Sequence, residues 1–382
     1  MKIGITCYPT YGGSGVVAAE LGLELASRGH QVHFISYARP IRLEVAPSPL
    51  AGANIVYHEV EVTTYPLFEY PPYTLALATR MAEVALGEGL DLLHVHYAIP
   101  HSVSAYLARA MLESAPFRRR LPFVTTLHGT DITLVGSDHS YLPITRFAIE
   151  ESDGVTAISE QLRRTTHREF EVKRDIRVIY NFVNCDIYRP DREEALRATF
   201  APDGEPLIAH LSNFRPVKRV TDVIEVFARV RRQTPARLLM IGDGPEHGNA
   251  EYLARKYGVE RDVLFLGKQD KVYRLLALCE SLELPSHTES FGLAALEAMA
   301  CGAVPVATRV GGVPEVVTSG TDGFLFEVGD VDGMAEAVAR LLRDPGLRGQ
   351  MAAAARLTAE KRFCSTLIIP QYEEYYRQVL ER

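Results

Sequence analysis

The chain has 382 residues, 47% of them hydrophobic and 23% charged, with 41 Lys and Arg against 48 Asp and Glu for a net charge of −7. At roughly 100–200 residues per domain, that length predicts two domains, each able to bury a core without a metal or disulfide staple. The acidic balance argues against a broad nucleic-acid surface, and the scattered Cys7, Cys185, Cys279, Cys301 and Cys364 form no C-x-x-C and fit a reducing compartment.

The opening MKIGITCYPTYGG lacks a basic segment followed by a long apolar stretch, so no secretory signal is read and a cytoplasmic location is expected. No run of about 18 apolar residues occurs, so no membrane span is expected. In chain order, KIGITCY reads as a strand and GVVAAELGLELASRG as a helix. QVHFISY, NIVYHEVEV, DLLHVHYA, PFVTTLHG and GVTAIS follow as strands, with helical patterns between most of them. Strands alternating with helices predict βαβ units and a parallel sheet covered on both faces. The rhythm restarts at PLIAHLSNF and continues through ARLLMIGDG, DVLFLGKQ, SLELPS, AVPVATRVGG and GFLFEVGD. Between the halves, 181–205 is polar and punctuated by proline, which marks a linker or hinge.

The expected fold is therefore α/β: two doubly wound, Rossmann-like domains facing a central cleft, the first over 1–180 and the second over 206–365. A terminal helix over about 366–382 is expected to cross back to the first. Ligands of such sheets bind outside the carboxyl ends of the strands, and facing domains make the cleft the default site.

Candidate residues fall at those strand ends. In PTYGGSGVVAAEL, Gly12, Gly13 and Gly15 follow a strand and open a helix whose free N–H groups favour an anion. In VTTLHGTD, strand alternation puts Thr126 and His128 on one face, and His128 can donate to a substrate hydroxyl or phosphate. His94 and His96 form an H-x-H without a matching acidic or thiol cluster, so no metal is expected; Tyr97, at the strand end, is the better ligand contact. In SNFRPVKRV, Arg215 and Lys218 set a bidentate fork beside a point cation, a pairing suited to a diphosphate.

In ESFGLAALEAMACG, Glu289 precedes a helix and Glu297 lies about a turn inside it, so the two carboxylates address different parts of one extended ligand. Gly292 lets the loop backbone approach that ligand. Carboxylate spacing alone also admits a glycosidase pair. The nearby cations and helix start favour an anionic ligand instead. Gly311 and Gly312 in RVGGVPEVV read equally as a turn or as part of the site wall.

Taken together, ESFGLAALE, SNFRPVKR, GGSG and HGTD resemble the signatures of the retaining GT-B glycosyltransferases of family 4, over nearly the whole chain. GITCYPTYGGSG, YPPYTLALA, HYAIPH, TTLHGTDIT, RFAIEESD and IYNFVN look more narrowly like the branch of that family acting in bacillithiol biosynthesis. That resemblance implies transfer of GlcNAc from UDP-GlcNAc to the hydroxyl of L-malate, without a metal or other cofactor. It makes the second domain the donor-binding half and the first the acceptor-binding half. Another acceptor such as inositol phosphate, or a UDP-GlcNAc 2-epimerase, remains as an alternative.

The resemblance also implies roles. Glu297 holds the ribose hydroxyls. Glu289 bonds the sugar hydroxyls, aided by the amides of Phe291, Gly292 and Leu293. Arg215 and Lys218 bind the diphosphate with the Gly15 amide, and Asn213 joins the donor contacts. Arg146, within TRFAIE, pairs with a malate carboxylate, and Ser14, Tyr97 and Thr126 complete that pocket. The departing phosphate oxygen takes the acceptor proton, so no side-chain base is required. Residue patterning does not decide the oligomeric state, and a homodimer stays open.

Overall fold

The computed structural model describes residues 1–9, 12–40, 43, 54–62, 70–114, 116–133 and 138–382. Contacts divide the chain into two compact units, Met1–Tyr180 with Ile368–Arg382, and Asn181–Leu367.

The first unit is built on seven parallel strands: β1 (Lys2–Thr6), β2 (Gln31–Ser36), β3 (Ile55–Glu59), β4 (Leu92–His96), β5 (Phe123–Leu127), β6 (Gly154–Ala157) and β7 (Ile176–Val178). Their order is β3-β2-β1-β4-β5-β6-β7. The chain reverses its winding between β1 and β4, which makes the loops after these strands the expected ligand crevice. Sequence periodicity missed β7, a three-residue edge strand too short to show alternation.

The central strands β4 and β5 are buried along their whole length, as expected where helices cover both faces of a parallel sheet. One cover comes from the end of the chain. In the helix Ser365–Leu380, the Tyr375 hydroxyl donates to the Val155 carbonyl and accepts from the Val155 N–H, while the Tyr376 hydroxyl lies 2.7 Å from His94 Nδ1.

The second unit repeats the plan with β8 (Leu207–Leu211), β9 (Arg237–Ile241), β10 (Val263–Gly267), β11 (Ser281–Leu284), β12 (Val304–Thr308) and β13 (Phe324–Phe326), all parallel, in the order β10-β9-β8-β11-β12-β13. Its winding reverses between β8 and β11. Ile208, Met240 and Val306 on the sheet pack with Phe227, Val338 and Leu341 from the covering helices, each completely buried or nearly so.

The segment 181–205 is not an extended tether. It carries the helix Glu194–Phe200 and packs into the second unit. Arg197 is buried and donates to the Leu278 and Glu205 carbonyls; Arg356 donates to the carbonyls of Cys185, Tyr188 and Ala300. Buried bonds such as these anchor the segment, while most of its charged residues, among them Asp186, Arg189, Asp191 and Glu194, remain exposed.

Candidate functional site

Three loops of the second unit converge at the carboxyl ends of its central strands. After β8, His210 donates through Nδ1 to the Glu283 carbonyl (2.9 Å) and accepts at Nε2 from the Ser212 hydroxyl (2.8 Å); that hydroxyl in turn accepts from the Phe214 N–H. Burial pushes the His210 pKa down to about 4, so the ring is neutral and holds one donor and one acceptor, as this relay requires. The relay fixes a turn in which Phe214 is buried at φ 40° and Asn213 and Arg215 are exposed. The 3₁₀ turn Pro216–Lys218 follows directly.

The loop after β11 is tied to this one by the His287 N–H, which donates to the Val217 carbonyl at 2.7 Å. Glu289 then accepts from Ser286 Oγ (3.0 Å) and from Lys218 Nζ (2.5 Å). The Lys218 and Glu289 side chains are only 21% and 12% exposed. Behind Glu289 runs the loop after β12. The Gly312 N–H donates to the Glu289 carbonyl, and a Cβ on Gly311 would lie 1.6 Å from that same oxygen. Gly242 backs the first loop in the same way, since a Cβ there would meet the Ser212 carbonyl oxygen at 1.8 Å. RVGG therefore forms a turn packed directly behind the Glu289 loop.

The helix Leu293–Ala300 starts at Gly292, whose φ is 91°, and no side chain caps its first turn. Its leading amides, after Phe291 and Gly292 and from Leu293 on, are the kind that bind an anion. Glu297, on this helix, is buried and accepts from the Tyr188 hydroxyl at 2.9 Å. Arg215, Lys218, Glu289 and Gly292 thus stand on linked loops, and Glu297 on the helix that follows them. Sequence reading missed Tyr188 and His210, because their partners lie 109 and 73 residues away and only the fold reveals which pairs meet; Ser212 joins the relay only once His210 is fixed by Glu283.

In the first unit, the helix Gly13–Ser27 begins after Gly12 with no side-chain cap and no acidic residue in its first turn. Thr10 and Tyr11 of the preceding loop lie outside the described residues. Gly15 is buried at the helix start. Ser14 Oγ and the Tyr97 hydroxyl share a hydrogen bond of 2.7 Å, so two expected acceptor contacts do meet. Tyr97 sits at φ 89°, a strained conformation for a bulky residue.

Asp131 holds that strained loop. Its carboxylate accepts from the N–H groups of Ala98 (3.0 Å), Gly129 (2.9 Å) and His128 (3.2 Å), joining the loops after β4 and β5. Burial raises its pKa to about 6, although these donors pull the other way. The aspartate stood in the HGTD motif without an assigned role.

One expectation changes. Thr126 and His128 do share a face, but the C-terminal helix covers it. Thr126 is fully buried, with Oγ1 2.7 Å from both His94 Nε2 and Thr156 Oγ1. Its hydroxyl therefore serves the core and not a ligand pocket. His128 is 7% exposed, places Nε2 2.7 Å from His96 Nδ1, and has its pKa pushed down to about 3 by burial, so it meets any ligand as a neutral ring. Arg146, on the helix Leu142–Glu151, is half-exposed: one guanidinium nitrogen donates to the Glu171 carbonyl at 3.3 Å and another lies 3.6 Å from its carboxylate.

The H-x-H pair is also built into the core: His94 spends both ring nitrogens on Tyr376 and Thr126, and His96 pairs with His128. Among the described residues, one group of three ligand-type side chains comes together elsewhere, His33 with His58 and Glu88.

Comparison with known proteins agrees with this architecture. Residues 11–187 match the Glycosyltransferase Family 4 family and residues 191–358 match Glycosyl transferases group 1. The chain is 49% identical over all 382 residues to N-acetyl-alpha-D-glucosaminyl L-malate synthase of Bacillus anthracis, covering 97% of that protein. It is 29% identical over 369 residues to D-inositol 3-phosphate glycosyltransferase of Mycobacterium marinum, covering 89% of this chain and 75% of the relative. In fold it resembles sucrose-phosphate synthase from Thermosynechococcus elongatus (TM-score 0.80, 21% identity, 100% of this chain and 99% of that one). It also resembles Anabaena HepE in complex with UDP-glucose (TM-score 0.80, 22% identity, 99% and 100%). Two parallel sheets wound in the same order, with linked loops at their switch points and full-length identity of this degree, place the chain: it belongs to the GT-B glycosyltransferases, carrying a family 4 domain followed by a group 1 domain.

Proposed function

We propose that this chain moves GlcNAc from UDP-GlcNAc to the hydroxyl of L-malate with retention of the α configuration, as the first step of bacillithiol biosynthesis. The observation that carries this reading is the 49% identity across the whole chain to a protein named for L-malate, against 29% to one named for inositol 3-phosphate.

In the donor half, Arg215 and Lys218 bind the diphosphate together with the uncapped amides of the helix Leu293–Ala300. Charge grows on the diphosphate as the glycosidic bond breaks. Donors fixed in advance stabilise that charge without reorganising during the reaction. Glu289, already held by Ser286 and Gly312, accepts from the sugar hydroxyls. Glu297 accepts from the ribose hydroxyls, with Tyr188 fixing its orientation. The leaving phosphate oxygen takes the proton of the malate hydroxyl, so neither carboxylate acts as a base.

In the acceptor half, malate is a dianion and needs cations or free amides. Arg146 supplies a bidentate donor for one carboxylate, and the start of the helix Gly13–Ser27 supplies amides. Ser14 and Tyr97 add hydroxyls, and His128 adds a neutral imidazole. Thr126 contributes from the core, by orienting His94 beneath this surface.

The test is UDP release from UDP-GlcNAc in the presence of L-malate, of D-malate and of inositol 3-phosphate, with the product anomer read by NMR. Release dependent on L-malate, with an α-linked product, is expected. Release with inositol 3-phosphate alone, or without any acceptor, would replace this assignment.

A further inference from the structure

At the β3 edge of the first sheet, β2 and β3 bring two histidines to one spot. The β2–β3 register pairs His33 with Val56 and Ile35 with His58. Alternation along each strand then sets His33 and His58 diagonally on one face. His33 Nδ1 and His58 Nε2 approach to 2.9 Å, with ring planes 17° apart and centroids 5.2 Å apart. Glu88 reaches the same point as the last residue of the helix Tyr73–Glu88, which packs against that face. One ligand atom from each of the three residues lies within 4.8 Å of the others. His33 is completely buried, while His58 and Glu88 are half-buried.

The helix Tyr73–Glu88 has no basic residue in its last turn to balance the negative end of its dipole. Lys2 Nζ supplies that balance from β1, donating to the Glu88 carbonyl at 2.8 Å.

We propose that His33, His58 and Glu88 bind a divalent transition metal of the Zn2+ class, which ties the edge strand β3 and the end of the helix Tyr73–Glu88 to β2. Two imidazoles and a carboxylate are a recognised zinc ligand set with a fourth position for water. At Zn–N and Zn–O bonds of about 2.0–2.2 Å, tetrahedral ligand atoms lie about 3.3 Å apart. The rings meet end to end, so binding swings each by roughly 35° to aim its lone pair at a metal beside the line between them, the nitrogens separate by a few tenths of an ångström, and rotation of the Glu88 side chain closes the third side. The proton now shared by the facing nitrogens moves to the other nitrogen of its own ring, and both lone pairs then face the metal. This site is separate from the transfer chemistry, and none of its residues belongs to the proposed donor or acceptor contacts.

The experiment uses the untagged full chain, stripped with chelator and dialysed against micromolar Zn2+, with bound metal measured and thermal unfolding followed. Co2+ substitution gives a second readout through its visible absorption. His33 is buried, so the variants are His58→Ala and Glu88→Gln at the half-buried positions. The expected result is one Zn2+ per wild-type chain and a raised unfolding midpoint with metal. Affinity should fall roughly 100-fold in His58→Ala and at least about 10-fold in Glu88→Gln, with UDP-GlcNAc turnover unchanged in both. Failure of the wild type to retain Zn2+, or equal retention by wild type and the double variant, overturns the proposal.

Discussion

Lys218 Nζ lies 2.5 Å from Glu289 Oε1. The first belongs to the loop after β8 and the second to the loop after β11, so the residues read as the diphosphate cation and the sugar-binding carboxylate hold each other. In the proposed roles, the diphosphate competes with Glu289 for the ammonium. Glu289→Gln removes that competition and one negative charge. UDP alone is expected to bind several-fold more tightly, while turnover of UDP-GlcNAc falls at least about tenfold because a charged hydrogen-bond acceptor is lost. Calorimetry with UDP and steady-state assays with UDP-GlcNAc read the two effects. Weaker UDP binding in the variant would show that the pair does not work against the diphosphate.

Arg215 is exposed and begins the turn Pro216–Lys218. Removing one preorganised donor aimed at a leaving group costs roughly 100- to 1,000-fold in turnover. Arg215→Ala and Lys218→Ala are each expected to show losses of that order with the unfolding midpoint preserved. Near-normal turnover in both would remove the diphosphate assignment.

Asp131 supplies a pH dependence. Its folded pKa of about 6 exceeds the unfolded value near 3.9. Between these values the folded chain keeps a proton that the unfolded chain has lost, so this group lowers stability as pH rises from about 4 to about 6 and adds no slope above. The loop it organises has the opposite need, because only the ionised carboxylate accepts from all three N–H groups. Wild-type turnover is therefore expected to fall as pH drops through about 6. Asp131→Asn, which keeps the shape but loses an acceptor, should be slow and should lack that acidic limb. An unchanged limb in Asp131→Asn would assign the titration to another group.

Arg146 is half-exposed and held by Glu171. In the proposed acceptor role, Arg146→Ala raises the apparent KM for malate by about 10-fold or more, the loss of a charged hydrogen bond, and leaves the KM for UDP-GlcNAc unchanged. Glu171→Gln should move neither constant more than about twofold, since a pair this exposed contributes little. An effect of Arg146→Ala confined to UDP-GlcNAc would contradict the acceptor assignment.

Gly311 combines a φ of 53° with a carbonyl 1.6 Å from where a Cβ would stand. Gly311→Ala must push the Glu289 loop away. A loss of about 1–3 kcal/mol in stability, with a matching fall in UDP-GlcNAc affinity, is expected from denaturant unfolding and calorimetry. Unaltered donor affinity would show that the loop tolerates the shift.

The sequence by itself determined the class of fold and most strand positions, because alternation of short apolar runs with helical periods is a local signal. It also marked the glycine-rich loop, the basic loop and the Glu289–Glu297 stretch, since each lies within a dozen residues of chain. Depth and partnership were not legible. Strand periodicity put Thr126 and His128 on one face, but only the return of the C-terminal helix made that face interior. A three-residue β7 carries too little period to be seen.

The support of the site was decided by tertiary structure alone. Tyr188 reaches Glu297, His210 reaches Glu283, and Asp131 reaches Ala98 across 109, 73 and 33 residues. His33 and His58 meet because the β2–β3 register places them together, although nothing in their spacing of 25 residues marks them as a pair. Local chemistry sets which loops can bind an anion. Pairings between distant residues exist only once buried polar groups must find partners, and that demand arises when the sheets and helices pack.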